Sequence, residues 1–448
     1  MGNLRKLVAW VLAFAMVLSA VPMRSVSAEE AGSAVLSALD FGADPTGAAD
    51  STVAIQKALD AAKELEAQGK SVTLEFPHGE YHIYKDKAHT REYHTSNTNS
   101  IENPIKTIGL LVEGHKNLTI DGQGSLFMMH GNMMALAVVH SENIVLKDFA
   151  WDFAVPTVTE LTVTASGSNY TEFYIPECFP YRISGNTLVW SSDLSPYTGE
   201  PYWTATGNHN TYAVIGYHPD DEMARNFGTD VSPFTNATSI TELGSNVIRI
   251  SYSRKNTTQS EHHKPGTVFA LCGNAHRETA GAFTWESKNV LAEGVNVHFM
   301  HGFGWLIQMS EDVTYRNCNL MPRPNSGHIT VSFADGLHAS GAKGEIVVEN
   351  CNFANTHDDP INFHGTFTRV ERRIDDHTLE LRYIHQQQGG FPQYHVGDQV
   401  AFFTRDTLES SDNETLYTVA EVISNPGEDG NNLRTMKVRF EEELPTFL

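Results

Sequence analysis

Apolar and polar residues alternate in short runs along the chain. Each run opens on a charged or polar residue and closes on Asn, Asp or Gly. Lys116-Asn117-Leu118-Thr119-Ile120-Asp121-Gly122, Glu142-Asn143-Ile144-Val145-Leu146-Lys147-Asp148, Lys288-Asn289-Val290-Leu291, Glu311-Asp312-Val313-Thr314-Tyr315-Arg316-Asn317 and Gly344-Glu345-Ile346-Val347-Val348-Glu349-Asn350 share this scheme. A period of two marks a strand with one buried face, and the closing residues are those that turn a chain readily. Where nothing intervenes, neighbouring runs are offset by 26, 23 and 33 residues. A sharper repeat follows: Asp335-Gly336-Leu337-His338-Ala339-Ser340-Gly341 and Asp359-Pro360-Ile361-Asn362-Phe363-His364-Gly365 match at Asp, at the aliphatic residue and at the closing Gly, 24 residues apart. One strand signature per unit of roughly 20 to 50 residues predicts a solenoid, in which equivalent positions of adjacent coils stack.

Ahead of these runs, Asp50-Ser51 predicts a helix start, and Val53, Ile55, Ala58, Leu59, Ala62 and Leu65 recur at helical spacing, so a helix is expected over residues 51–68. Strand signals follow at Val72-Thr73-Leu74-Glu75-Phe76 and Gly79-Glu80-Tyr81-His82-Ile83. The opening Leu39-Asp40-Phe41-Gly42-Ala43-Asp44-Pro45, the helix and the Phe-Pro-x-Gly-x-Tyr run resemble the start of pectate-lyase-like parallel β-helix proteins, where such a helix plugs the first coil. The Met-rich run Phe127 to Met134 suits a coil interior.

Between Asn143 and Asn289 the spacing breaks for 146 residues, and strand-like runs at Glu160 to Val163, Thr187 to Trp190, Val247 to Tyr252 and Gly266 to Leu271 lie between Gly, Asn and Pro turns. A similar pattern begins after Gly365. The expected fold is all-β: a right-handed parallel β-helix with an N-terminal capping helix and two inserted antiparallel, barrel-like β domains. The expected division is a signal peptide over 1–28, β-helix over 29–155 and 283–365, and inserted domains over 156–282 and 366–448.

Charge and cysteine content narrow the setting. Arg5 and Lys6, the apolar run Leu7 to Ala20 and Val26-Ser27-Ala28 have the form of a secretory leader cleaved after Ala28, so the protein is expected to be secreted or extracytoplasmic. Loss of Arg5, Lys6 and Arg24 from 31 basic residues leaves 28 against 54 acidic ones, a balance of −26. Such a surface repels nucleic acid and anionic membranes and suits a neutral substrate. A monomer and a homodimer both fit the sequence. Cys178, Cys272, Cys318 and Cys351 match no disulfide scaffold or zinc motif, and Cys318 and Cys351, in matching Asn-Cys-Asn contexts, are read as small buried residues. His262-His263 is expected to be solvated.

The chemistry gathers at the 24-residue repeat. Asp335 and Asp359 occupy one column of adjacent coils, with Asp358 beside the second. Carboxylates within a few Å push their pKa values apart, so one holds a proton while another stays charged, which is what glycoside hydrolysis needs. His338, His357, Asn362 and His364 surround them as candidate substrate ligands, and Trp305, one coil earlier, offers a stacking face for a sugar or else packs in the core. Each Asp taken singly also fits a strand-capping role. A metal site is a rival use of the same His and Asp residues, but no dedicated ligand spacing is present, and no cofactor is expected. A polysaccharide lyase or polygalacturonase would set several basic residues beside the acids, whereas Lys343 is the only base between Asp335 and His364. A carbohydrate-binding solenoid would have aromatic rows without convergent acids.

Asn355-Thr356-His357-Asp358-Asp359-Pro360-Ile361-Asn362-Phe363-His364-Gly365, with Phe333-Ala334-Asp335-Gly336-Leu337-His338 one coil earlier, resembles glycoside hydrolase family 110. The resemblance implies an exo-acting, inverting α-1,3-galactosidase acting on an oligosaccharide or glycoconjugate with terminal α-galactose, in blood group B or linear Galα1-3Gal structures. It implies Asp335 as general acid and Asp358 with Asp359 as the base that activates water, without a metal. Family members carry further coils beyond this point, so either this chain ends unusually for the family or it is a fragment.

Overall fold

Each alternating run becomes a strand, and successive coils of the solenoid build two parallel sheets, a coil giving one strand to the second sheet and one or two to the first. The computed structural model describes residues 32–206, 215–218, 223–226, 231–272, 277–410, 412–428 and 432–446. The leader expected over 1–28 lies outside the described residues.

The first sheet runs through Ser33–Ser37, Ser71–Glu75, Lys116–His130, Glu142–Phe153, Lys288–Glu293, Glu311–Arg316 and Lys343–Glu349. The second holds β1 (Ile105–Glu113), β2 (Met134–Val139), β3 (Ala282–Trp285), β4 (Trp305–Gln308), β5 (Leu337–Ser340) and β6 (Ile361–His364), all parallel, with His89–Glu92 antiparallel at its edge. The fold is a parallel β-helix. Register is strict: Leu136, Ala282, Trp305, Leu337 and Ile361 form one column, and Ala137, Phe283, Leu306, His338 and Asn362 form the next. Because side chains alternate across a strand, the first column points into the coil and the second out of it. Leu136, Ala282, Trp305 and Leu337 accordingly belong to the main core, whereas Ala137, Phe283 and Leu306 pack outside the sheet with Tyr93.

The turns are as ordered as the strands. Asn117, Asn143 and Asn289 have φ of 60°, 56° and 53°, the left-handed region that Asn tolerates better than most residues. Their side chains form a ladder: Asn143 donates to Asn117 at 2.9 Å and Asn289 to Asn143 at 2.7 Å. A second ladder links Asn352, Asn319 and Asn296, each step 2.7 Å.

The helix α1 (Thr52–Glu66) lies over the first coil. Ile55, Ala58, Leu59 and Ala62 are buried against the core, but Val53 is 46% exposed. Asp50, rather than Ser51, caps it by accepting from Thr52 N at 2.8 Å. Among the described residues no helix is long and apolar enough to cross a membrane.

Between Phe153 and Ala282 the chain leaves the two sheets and forms a seven-stranded antiparallel sheet, with a core that includes Phe173, Trp190, Ile250 and Phe269. After β6 a five-stranded antiparallel sheet packs around Leu381, Tyr383, Val419 and Val438. The solvated placement expected for His262-His263 fails at His263. It is 1% exposed, lies 3.0 Å from Thr171 Oγ1 and 2.8 Å from Val231 O, and burial pushes its pKa down to about 4. All four cysteines are free thiols; Cys318 and Cys272 are buried, and Cys351 and Cys178 are half-buried.

Candidate active site

The turns that lead into β5 and β6 lie one above the other. Gly336 N donates to Asp359 O at 2.9 Å, Leu337 N to Pro360 O at 3.0 Å and Asp358 N to Ala334 O at 3.1 Å. Two glycines allow this approach. A Cβ on Gly336 would meet Pro360 O at 2.6 Å, and one on Gly304, which has φ +65°, would meet Asp335 O at 2.6 Å. The turns therefore hold Asp335 and the Asp358-Asp359 pair in adjacent layers.

Asp335 is only 2% exposed. Its Oδ2 lies 2.7 Å from Nδ1 of His338, which is fully buried, and His338 Nε2 lies 2.9 Å from His364 Nε2. The His338 ring is pinned edge-on by Phe303, with centroids 4.8 Å apart. His364, half-buried, continues the line: its Nδ1 is 2.8 Å from Gly365 O.

Asp358 and Asp359 face solvent. Enough protein shields the Asp358 carboxyl that desolvation, then the charges of Asp335 and Asp359, raise its pKa above the ordinary aspartate value, while Arg277 pulls the other way. A raised pKa lets a carboxyl hold a proton nearer neutral pH and makes its ionised form a stronger base. Arg277 reaches this place from just before β3, with its guanidinium 4.8 Å from the Phe303 ring centre and 5.6 Å from that of Phe333.

Two of the expected substrate ligands are corrected. Trp305 stands in the inward column with Leu337 and Ile361, is 1% exposed, packs on Trp151 and Tyr315 with centroids 5.3 and 4.9 Å away, and donates to Thr284 at 3.2 Å. It is core, and no sugar reaches its face. His338 is fully buried with both ring nitrogens engaged, so it braces Asp335 rather than touching substrate. His357, half-buried, contacts Cys272 Sγ at 3.4 Å through Nδ1 and Thr330 Oγ1 at 3.3 Å through Nε2, and desolvation pushes its pKa down to about 3, which keeps it neutral. Asn362 and His364, both half-buried, share the outward face with His338.

Residues distant in sequence complete the site. Asn97 Nδ2 points at His364 Nε2 from 3.4 Å, and its carbonyl accepts from Arg277 at 3.1 Å. His385 lies within electrostatic reach of His364 and Arg277. Lys343 pairs with Asp398 at 2.5 Å, and Arg277, from outside the repeat, is a cation that acts on Asp358. Farther along the same rim, before β2 and β3, a cavity of about 380 Å³ is lined by Lys85, Lys106, Asn132, Glu278, Thr279 and His301. Among the described residues, no group of three or more His, Cys, Asp and Glu side chains is arranged to hold a metal ion.

No protein-family model matches the chain. It is 36% identical over 416 residues to alpha-1,3-galactosidase A of Streptomyces avermitilis, an alignment covering 91% of this chain and 64% of that protein. It is 30% identical over 416 residues to alpha-1,3-galactosidase A of Bacteroides fragilis, covering 91% of this chain and 63% of that one. The chain thus spans less than two thirds of the length of these relatives. Among solved structures, a Yersinia enterocolitica family 28 exopolygalacturonase superposes on 74% of this chain and 45% of its own, with 12% identity and a TM-score of 0.31, too distant to bear on chemistry.

Proposed function

We propose that this chain carries the catalytic coils of a secreted, exo-acting α-1,3-galactosidase. It would remove terminal α-1,3-linked galactose from blood group B type or linear Galα1-3Gal glycans with inversion at the anomeric carbon. The observation that carries the reading is the placement of three carboxylates in two environments on adjacent coils. Relatives named alpha-1,3-galactosidase across 91% of the chain support the same substrate class.

In this reading Asp335, clamped by His338, delivers a proton to the glycosidic oxygen as the bond to galactose breaks. Asp358 and Asp359 take a proton from the water that attacks the opposite face. Directly stacked backbones lie about 4.8 Å apart, narrower than the ~6.5 to 9.5 Å between the carboxyls of inverting enzymes. Asp358 is offset from the Asp335 column by one residue, so in this reading it, rather than Asp359, would stand at the wider separation. Export rests on the leader pattern.

Incubation with Galα1-3Gal and with the B trisaccharide should release galactose, with β-galactose as the first product by NMR. No galactose from either substrate refutes the activity, and α-galactose as first product refutes inversion. The exported protein should begin at Glu29.

A further inference from the structure

Two buried groups outside the carboxylate site reach into the catalytic coils from the antiparallel segment. Glu160, 1% exposed, stands in Thr159–Ser166, the first strand of the seven-stranded sheet. Cys272, 3% exposed, follows Val268–Leu271, the last strand described before β3. The two strands pair, with Thr159 opposite Leu271, so both ends of the segment arrive side by side. The Glu160 carboxylate accepts from Thr330 N at 2.8 Å through Oε1 and from Ile329 N at 3.1 and 3.0 Å through both oxygens. Thr330, 2% exposed, meets His357, whose other ring nitrogen meets Cys272. Glu160, Thr330, His357 and Cys272 therefore form a ring that the strand pairing closes. The backbone carries this ring to the carboxylates: Val331 N donates to Asn355 O at 3.2 Å, His357 N to Ser332 O at 3.1 Å, and the next residue is Asp358. Burial raises the Glu160 pKa, and His328 with the hydroxyl and N–H of Thr330 opposes the rise. A buried carboxylate is unfavourable unless its oxygens are met, and here two consecutive N–H groups of one loop meet them.

Resting on the galactosidase reading, we propose that Glu160 is a positioning residue: it fixes Ile329 and Thr330 from the antiparallel segment, and through Thr330 and His357 it sets where the Asp358 carboxyl stands. Glu160 acts through these two residues and does not touch the sugar. The role holds whether Asp358 gives a proton or takes one, because either step needs its carboxyl fixed against the anomeric centre. A misplacement of about 1 Å can cost roughly 10²-fold in rate. The brace has an electrostatic consequence as well. Desolvation is the largest cause of the raised Asp358 pKa, followed by the charges of Asp335 and Asp359, with Arg277 opposing them. A turn released from the ring admits water, so the Asp358 pKa falls.

The test compares Glu160→Ala, Glu160→Gln and Thr330→Val in the full chain. It reads kcat and KM on Galα1-3Gal, and the titration of Asp358 by NMR of protein labelled with carbon-13 at the aspartate carboxyls, the signal being assigned from Asp358→Asn. Gln keeps an oxygen for both N–H groups, and Val keeps the shape and N–H of Thr330 but removes the hydroxyl that meets His357. Glu160→Ala should lose about ten- to a hundredfold in kcat with KM within about threefold of wild type, Glu160→Gln should stay within about threefold in both, and Thr330→Val should fall between them. Asp358 should titrate at lower pH in Glu160→Ala and Thr330→Val than in wild type. A loss of kcat with the Asp358 titration unmoved would make Glu160 a stability residue only and overturn the proposal, as would wild-type kcat in Thr330→Val. If Glu160→Ala does not fold, Thr330→Val decides by both readouts. A wild-type chain that releases no galactose removes the galactosidase reading, and the Asp358 titration in Thr330→Val then decides the brace by itself.

Discussion

The coils of β5 and β6 carry the same motif, and the fold treats them differently. In the β5 coil Asp335 is 2% exposed, Leu337 is fully buried and His338 is sealed; in the β6 coil Asp358 and Asp359 face solvent, Ile361 is 41% exposed and Phe363 is 39% exposed. β5 is paired on both sides, by β4 and β6, whereas β6 is the end strand of its sheet. One motif used twice therefore yields a sequestered carboxylate engaged by an imidazole and an open pair, of which Asp358 has its pKa raised by desolvation and by the charges of Asp335 and Asp359.

The largest effect that would break this comparison lies in the carboxylates. Asp335→Asn should lower activity on Galα1-3Gal by about 10² to 10⁴-fold and reduce hydrolysis of 4-nitrophenyl α-galactoside far less. Asp358→Asn and Asp359→Asn should lose both. Equal loss on both substrates in Asp335→Asn removes the division of roles.

Stability should divide the same column. Leu337→Ala should cost about 2 to 5 kcal/mol, since it opens a cavity between two covered coils, while Ile361→Ala, at the half-open end, should cost less than about 1 kcal/mol. Denaturant melts that ranked them in the reverse order would show that β6 is covered in solution.

Electrostatics gives a smaller, signed effect. Arg277 favours the charged form of Asp358, so Arg277→Gln should raise that pKa further. If Asp358 is the base, kcat/KM falls as it protonates, so the acidic limb of the profile should move to higher pH. A shift to lower pH, or none, would uncouple Arg277 from the base. Trp305→Phe should change least in activity, with KM within about twofold of wild type and a lower melting temperature, as expected of a core ring. A large rise in KM would restore the stacking role.

The 24-residue offset was readable because side-chain alternation and turn residues are local. Leu337 pairs with Ile361 and His338 with Asn362, at the spacing of the motif. The same alignment contained the answer for Trp305, which falls in the aliphatic column; a Trp near carboxylates suggested a sugar platform only while it was read apart from its register. His338 misled for another reason. Its ring is closed in by Phe303 and Asp335, so its burial is a tertiary fact. Arg277, Asn97 and His385 carried no local signal at all, because long connections bring them in.

The asparagine ladder has one more consequence, which concerns how this architecture accepts new sequence. Asn143 and Asn289 are 146 residues apart, yet Asn289 donates a 2.7 Å side-chain hydrogen bond to Asn143, and Lys288 pairs with Glu142 as directly as Glu142 does with Lys116. The rungs on either side do not register the detour. Loop closure grows only logarithmically with length, about 0.6 kcal/mol per doubling, so the detour can be long as long as its two ends emerge side by side. The solenoid behaves here as a socket, and a segment of another size with the same end-to-end reach would leave every rung where it is.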